Sequence, residues 1–293
     1  MQHPSIASVQ INKIRNSDQG LSPFLSEDAL DLLAVEDPLE IRILFGPQNQ
    51  QREKSISVTM CTPGHDFELA IGFLFTEGII TQKEDVLHVS YLNKGAAAAG
   101  QDNIVLVQLK EGIQFDPQKI ERHFYTSSSC GVCGKSSIAA VKQQFISKSS
   151  NAFTVDAATL MELPFILRNK QEVFEQTGGL HASALYNLKG SMLMSREDVG
   201  RHNALDKLIG ACLMEENIPL QQHILLLSGR ASFELIQKAA MAGIQMVCAV
   251  GAPSSLAVSL AEERGMTLVG FLRDRRFNIY TGRERIIFKN YSE

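Results

Sequence analysis

The feature that most constrains this chain is a repeating rhythm in its last third, where short apolar runs alternate with helical patterns. The runs cover 223–227, 246–250, 267–272 and 277–280, and amphipathic helices are expected over 232–242 and 254–264. Strands and helices that alternate in this way imply a mainly parallel sheet covered by helices, because parallel neighbours need a crossover long enough to hold a helix.

Upstream of that rhythm lies a helical stretch over 156–174. A hairpin follows over 181–186 and 191–195 across Asn187–Gly190. Next comes a helix from about Asn203 whose apolar face is Ala204, Leu205, Leu208, Ile209, Cys212 and Leu213. The order helix, hairpin, helix, strand, helix, strand suggests the layout of cytidine-deaminase-like folds. The expected fold class is therefore α/β, with a deaminase-like three-layer C-terminal domain over 138–293 and a smaller α+β N-terminal domain over 1–125.

In the N-terminal part, alternation predicts strands over 39–45 and 55–61, with Ile41/Ile43/Phe45 and Ile56/Val58/Met60 each sharing a face. A helix over 66–77 should stop at Gly78, and a strand pair over 86–92 and 104–109 should flank the turn 94–100. Between the two domains, residues 126–137 read TSSSCGVCGKSS. Nearly every residue there is small and nothing repeats, so the segment is expected to be a mobile loop.

A formal charge of -4 gives no overall basic field, so no nucleic-acid partner is expected and any anion site must be local. The N-terminus has no signal-like apolar stretch, and no run approaches the ~18 apolar residues of a membrane span. A cytoplasmic protein with no membrane association is the expectation. Five cysteines, an odd number in a chain of 293 residues, fit reduced thiols better than a disulfide framework.

Two of those thiols, Cys130 and Cys133, sit in the 126–137 loop. A Cys-x-x-Cys pair can be half a zinc site, a redox dithiol, or a nucleophile with a resolving partner. A structural zinc needs four ligands, and the spare candidates Cys61, His123, His181 and His202 are scattered, so no structural metal is expected. Lys135 and a helix over 138–145 would favour the thiolate, while Gly131 and Gly134 would let the sulfur reach a partner. A thiolate on such an arm suits covalent carriage of a group between two proteins. Cys212 and Cys248 fall on apolar faces and read as core; Cys61 is not placed by its surroundings.

Three apolar strands in the last third end in small or basic residues: 228–232 (SGRAS), 251–255 (GAPSS) and 271–276 (FLRDRR). In a parallel sheet these ends share one edge, where open α/β folds bind ligands. Two of them open helices, whose first N–H groups attract anions, and Arg230, Arg273, Arg275 and Arg276 add donors for phosphate. The plainer alternative is ordinary strand-to-helix turns with serine caps. The polar segment 196–203 is a further candidate for lining the crevice, with Asn203 equally readable as a helix cap. Zinc deaminases need His-x-Glu and Pro-Cys-x-x-Cys at the matching places. Here His202 precedes Asn203-Ala204, and Ser228 leads to Gly229-Arg230, so deaminase chemistry is not expected.

Taken together, LAIGFLFTEGII (69–80), SSCGVCGK (128–135), TGGLHASAL (177–185), REDVGRHNALDK (196–207), LLLSGRASFELIQKAAMAGI (225–244) and APSSLAVSLAEERGMTLVGFLRDRRFNIYT (252–281) resemble the formate dehydrogenase accessory proteins of the FdhD type. The resemblance implies a sulfur carrier. Such a protein takes sulfane sulfur from a cysteine desulfurase as a persulfide and passes it to the molybdenum bis(molybdopterin guanine dinucleotide) cofactor of formate dehydrogenase. Cys130 would bear the persulfide, with Cys133 as its partner. Phe271, Leu272, Arg273, Asp274, Arg275 and Arg276, with Ser228 and Arg230 from the strand-end reading, would bind the guanine dinucleotide ends. The resemblance also implies a homodimer. A dithiol redox enzyme and a non-catalytic molybdenum-cofactor chaperone stand as alternatives.

Overall fold

The computed structural model describes residues 5–16, 24–92, 103–113 and 153–289. The 126–137 segment with Cys130 and Cys133, the 138–145 helix and the 94–100 turn lie outside the described residues.

The chain begins with an antiparallel ribbon of β1 (Ile6–Asn16) and β2 (Phe24–Ala34), which the periodicity reading did not single out. Its outer part leaves Phe24, Leu25 and Leu30 exposed, and only its base, at Ile6 and Ala34, reaches a small apolar cluster with Val173 and Leu180. Next come β3 (Asp37–Phe45), β4 (Arg52–Cys61), α1 (Asp66–Thr76), β5 (Val86–Tyr91) and β6 (Ile104–Leu109). The four strands form a sheet ordered β4-β3-β6-β5.

Ile41 and Ile43 face inward as their alternation predicts, and Gly78 ends α1 with a φ of +72° that glycine adopts without strain. The expectation for β4 fails halfway. Ile41 pairs with Ser57 but Arg42 with Ser55, so Ile56 is an extra, bulged residue. A bulge flips the inward set, which puts Ile56, Ser57 and Cys61 inside and leaves Val58 and Met60 exposed.

The second half contains β7 (Val155–Asp156), α2 (Ala157–Arg168), α3 (Glu172–Thr177), β8 (His181–Asn187), β9 (Met192–Asp198), α4 (Arg201–Met214), β10 (His223–Leu227), α5 (Phe233–Met241), β11 (Met246–Ala249), α6 (Ser255–Arg264), β12 (Thr267–Arg273), β13 (Arg276–Thr281) and β14 (Ile286–Ile287). The expected helix over 156–174 is thus two helices. The hairpin β8–β9 lies where expected but runs on to Asp198, so Arg196–Asp198 belong to a strand and not to a loop.

The main sheet has the order β13-β12-β11-β10-β8-β9. Only β10–β11 and β11–β12 are parallel; β8 pairs antiparallel with both β9 and β10, and β12 with β13. The sheet is therefore mixed rather than mainly parallel, because both ends of the run are hairpins. Leu225, Leu227, Val247 and Leu268 pack under α4, α5 and α6, whereas Ile224, Leu226, Met246 and Val269 pack with α2 on the other face. Those two apolar layers make the three-layer α/β/α arrangement.

One apolar cluster continues from the α4 side of this sheet through α1 into Leu39, Ile41, Ile43, Val105 and Val107 of the smaller sheet. The junction is the crossing of α1 and α4 at Gly72 and Gly210. A β-carbon on Gly72 would collide with the Asp206 carbonyl oxygen, and one on Gly210 with that of Glu68. Glycine at both positions lets the two backbones touch.

Candidate functional site

β9 runs in the direction of β10, so the carboxyl ends of β9, β10, β11 and β12 and the amino end of β8 share one edge. The helices α4, α5 and α6 start at that edge, after Gly200, Ser232 and Ser254. Three N-termini then point partial positive charge at a common region.

The turns of the three parallel strands are stitched together by backbone hydrogen bonds. Gly251 N donates to Gly229 O at 2.9 Å, Phe271 N to Gly251 O at 3.0 Å, and Ser254 N to Ala231 O at 3.0 Å. The predicted residues Ser228, Arg230 and Phe271–Arg276 are thereby brought to one place. Arg230, Arg273, Asp274, Arg275 and Arg276 are exposed, the last four on the β12–β13 turn. Leu272 is 1 % exposed and joins the core, so only its backbone reaches the edge.

Phe271, Asp274 and Arg275 have φ of +53°, +53° and +57°. Left-handed backbone at residues with a β-carbon costs on the order of 1–3 kcal/mol each and persists where the surrounding structure imposes it. Asp274 and Arg275 are the two central residues of the β12–β13 hairpin turn, where positive φ is usual, whereas Phe271 lies within β12 at a register irregularity between Gly270 and Arg273.

The serines differ. Ser254 is an ordinary cap, its Oγ accepting from Ala257 N at 3.2 Å. Ser232 makes no capping bond. Its Oγ donates to Glu234 Oε2 at 3.1 Å and lies 3.4 Å from His202 Nε2, which is itself 3.5 Å from Glu234 Oε2. Both the hydroxyl and the carboxylate therefore meet the same ring nitrogen. A nucleophile relay needs them on opposite nitrogens, so this trio is not a serine-hydrolase triad. Hydrogen bonding to His202 holds the Glu234 carboxyl at about 2, which keeps it ionised against the ring. Among the described residues no group of three or more His, Cys, Asp or Glu is placed to hold a metal ion.

The segment 196–207 divides by role. Arg201 and His202 face the edge, whereas most of the other polar residues lock the two halves of the molecule together. Arg196 pairs with Glu68 of α1. Glu197 accepts from Phe174 N at 3.2 Å and so satisfies the start of α3. Asp198 pairs with Lys207 at 2.7 Å and accepts from Thr62 N and Gly200 N. Asn203 donates to Met60 O at 2.8 Å, so it bridges to β4 and is not the α4 cap, a place taken by Gly200. Asp206 pairs with Lys238 at 2.8 Å beside Thr76. Burial disfavours the Lys238 ammonium, but Asp206 and Glu77 outweigh it and raise its pKa.

Glu68 gives this lock a pH signature. Burial opposes its ionisation, yet hydrogen bonds from Arg196 and His65 bring its pKa down to about 2 from an ordinary 4.5. A depressed carboxylate contributes stability fully above its unfolded value and loses it as pH falls through its folded value. Urea unfolding should therefore show the gap between wild type and Glu68→Gln widest above about pH 4.5 and closing toward pH 2. An equal gap at pH 7 and pH 2.5 would refute the assignment.

The remaining described thiols are not chemical. Cys61, Cys212 and Cys248 are all buried, and burial pushes each up to about 12. Held protonated in this way, they supply little of the thiolate, which is the reactive form. Cys212 and Cys248 are core as expected, and Cys61 joins them behind the β4 bulge. His181, which the sequence offered only as a scattered metal-ligand candidate at the start of a strand, also stands at the edge.

The FdhD/NarQ family model matches residues 34–287. A sulfur carrier protein FdhD of Mycolicibacterium paratuberculosis is 52% identical over 258 residues, covering 87% of this chain and 92% of the relative. One of Streptomyces coelicolor is 46% identical, covering 88% and 90%, and one of Thermoplasma volcanium 42%, covering 89% and 91%. A crystal structure described as that of a formate dehydrogenase accessory protein from Desulfotalea psychrophila superposes with a TM-score of 0.68. It covers 96% of this chain and 99% of that one at 22% identity, a likeness of fold.

Proposed function

The chain belongs to the FdhD/NarQ family, and from that premise we propose that it is a sulfur carrier for the maturation of formate dehydrogenase, holding sulfane sulfur as a persulfide on Cys130. The observation that carries the reading is the distribution of thiols. Three of the five cysteines are buried and held protonated, which leaves Cys130 and Cys133 of the SSCGVCGK motif as the chain's other thiols. The relatives that bear the name sulfur carrier protein FdhD extend over nearly the whole chain and support the same reading.

In the proposed step, the Cys130 thiolate attacks the terminal sulfur of a cysteine desulfurase persulfide. The sulfur–sulfur bond to the desulfurase breaks, its cysteine leaves as thiolate, and a new sulfur–sulfur bond forms on Cys130. No net oxidant is consumed. The rate depends on the thiolate fraction and on access, as in thiol–disulfide exchange. Cys133 is the partner thiol. The activity is of the sulfurtransferase type, in the cytoplasm, and the acting form is a homodimer.

The cargo's destination in this reading is the molybdenum bis(molybdopterin guanine dinucleotide) cofactor, bound as a client by its dinucleotide ends. Its diphosphates suit an edge with three helix N-termini, Arg201, Arg230 and the arginines at 273, 275 and 276. Ser228 and Phe271–Arg276 would form the cradle.

Incubation with cysteine, a cysteine desulfurase and pyridoxal phosphate should add about one sulfur atom to the peptide containing Cys130, removable by reductant. A loss of two hydrogens across Cys130 and Cys133, with no added sulfur, would instead favour the redox reading and sink this one.

A further inference from the structure

His181 opens β8 at the ligand edge, and its ring is a feature that the crevice of serines and arginines does not use. The strand beneath it is pinned on both sides of the backbone: Ala182 N donates to Ser228 Oγ at 2.8 Å, and Ser228 N to Ala182 O at 2.9 Å. The ring lies over Gly229, where a β-carbon would stand 3.3 Å from Nδ1 and 3.4 Å from Cε1. Glycine therefore leaves the imidazole room at the mouth of the β10–α5 turn. Among the described residues no group hydrogen-bonds to the ring, which is half-buried.

The charges that face it come from three elements. Arg201 and His202 project from α4, Arg230 from the turn after β10, and Asp198 from the end of β9. Asp198 is already committed to Lys207, and Glu234 of α5 to His202 and Ser232. The charged groups named around the ring are thus mostly cationic, and the carboxylates near them are held by Lys207, His202 and Ser232.

Resting on the reading of this edge as a phosphate site, we propose that His181 is a phosphate-contacting residue whose imidazole takes up a proton as the phosphate group of a nucleotide seats between it, Arg201 and Arg230. In the free protein, burial first and then the charges of Arg201 and His202 lower its pKa, so it is neutral at pH 7. A phosphate beside it reverses the balance and favours imidazolium. Binding and protonation are then linked. Affinity rises as pH falls through the bound-state pKa and levels off below the free-state one.

The test is a pH titration of the histidine imidazole signals by NMR on the full chain, alone, with guanosine diphosphate and with inorganic phosphate, His181→Gln identifying the signal. The expected result is an upward move of the His181 pKa by about one unit or more with guanosine diphosphate. His181→Gln should weaken that binding roughly tenfold and flatten its pH dependence between pH 6 and 8. Guanosine diphosphate binding with an unmoved His181 titration and unchanged affinity in His181→Gln would overturn the proposal and leave the phosphate site standing. A shift with inorganic phosphate but none with the nucleotide would overturn it in favour of a free-anion site. If neither probe binds, the reading of the edge fails and this proposal with it.

Discussion

Cys130→Ala is expected to reduce formate dehydrogenase maturation to the level of a strain lacking the carrier, while leaving the folded edge and its nucleotide affinity unchanged. Alanine removes the sulfur that would form the persulfide, and no described thiol can substitute. Cys61, Cys212 and Cys248 are packed in the core with their thiols held protonated. A partial effect is therefore not expected unless Cys133 accepts sulfur directly. The measurement is formate dehydrogenase activity in cells complemented with wild type, Cys130→Ala, Cys130→Ser or Cys133→Ala, with thermal melting and guanosine diphosphate affinity as controls. A chaperone that only holds the molybdenum cofactor predicts full activity from Cys130→Ser, and that outcome would sink the sulfur-carrier reading. A dithiol redox enzyme predicts equal loss from either cysteine and a reversible disulfide in the wild type.

The sequence disclosed different layers of this molecule unequally. Elements were legible where burial is set by the chain's own period: the apolar runs at 223–227, 246–250 and 267–272 became central strands because both their faces are covered. The placement of SGRAS, GAPSS and FLRDRR at one edge followed from that topology. Strand order did not. Nothing in the period of β8 says that it inserts antiparallel between β9 and β10, because hydrophobic alternation is the same in either direction. The β4 bulge was invisible for a related reason: an inserted residue is recognised from its partner strand, here by Ile41 and Arg42 skipping Ile56.

The polar motif was the hardest to read. Residues 196–203 looked like a binding loop, yet Arg196 reaches Glu68 across 128 positions and Asn203 reaches Met60 across 143, and Lys207 in the helix that follows reaches Thr62 across 145. Partners so distant leave no local signature. Dense polarity in a nearly fully buried helix was the available clue, since charges are buried only when paired.

Lys207→Met carries the largest expected effect on stability and shows why that lock matters to the edge. Lys207 and Asp198 have side-chain exposures of 1% and 0% and an ion pair of 2.7 Å. Removing the ammonium leaves a carboxylate buried against Thr62 N, Gly200 N and Asn203 with no counter-charge. Breaking one partner of a buried pair typically costs about 3–5 kcal/mol, whereas neutralising both can be nearly free. Urea unfolding should show Lys207→Met destabilised by about that amount and the double variant Asp198→Asn/Lys207→Met recovering much of it, a non-additivity that two independent sites would not give. The pair also fixes Gly200 at the start of α4, directly before Arg201 and His202. Under conditions where Lys207→Met remains folded, its guanosine diphosphate affinity should fall, and the double variant should regain part of it with the stability. Loss of stability without any change in nucleotide affinity would separate the lock from the edge and show that α4 presents Arg201 and His202 without its help.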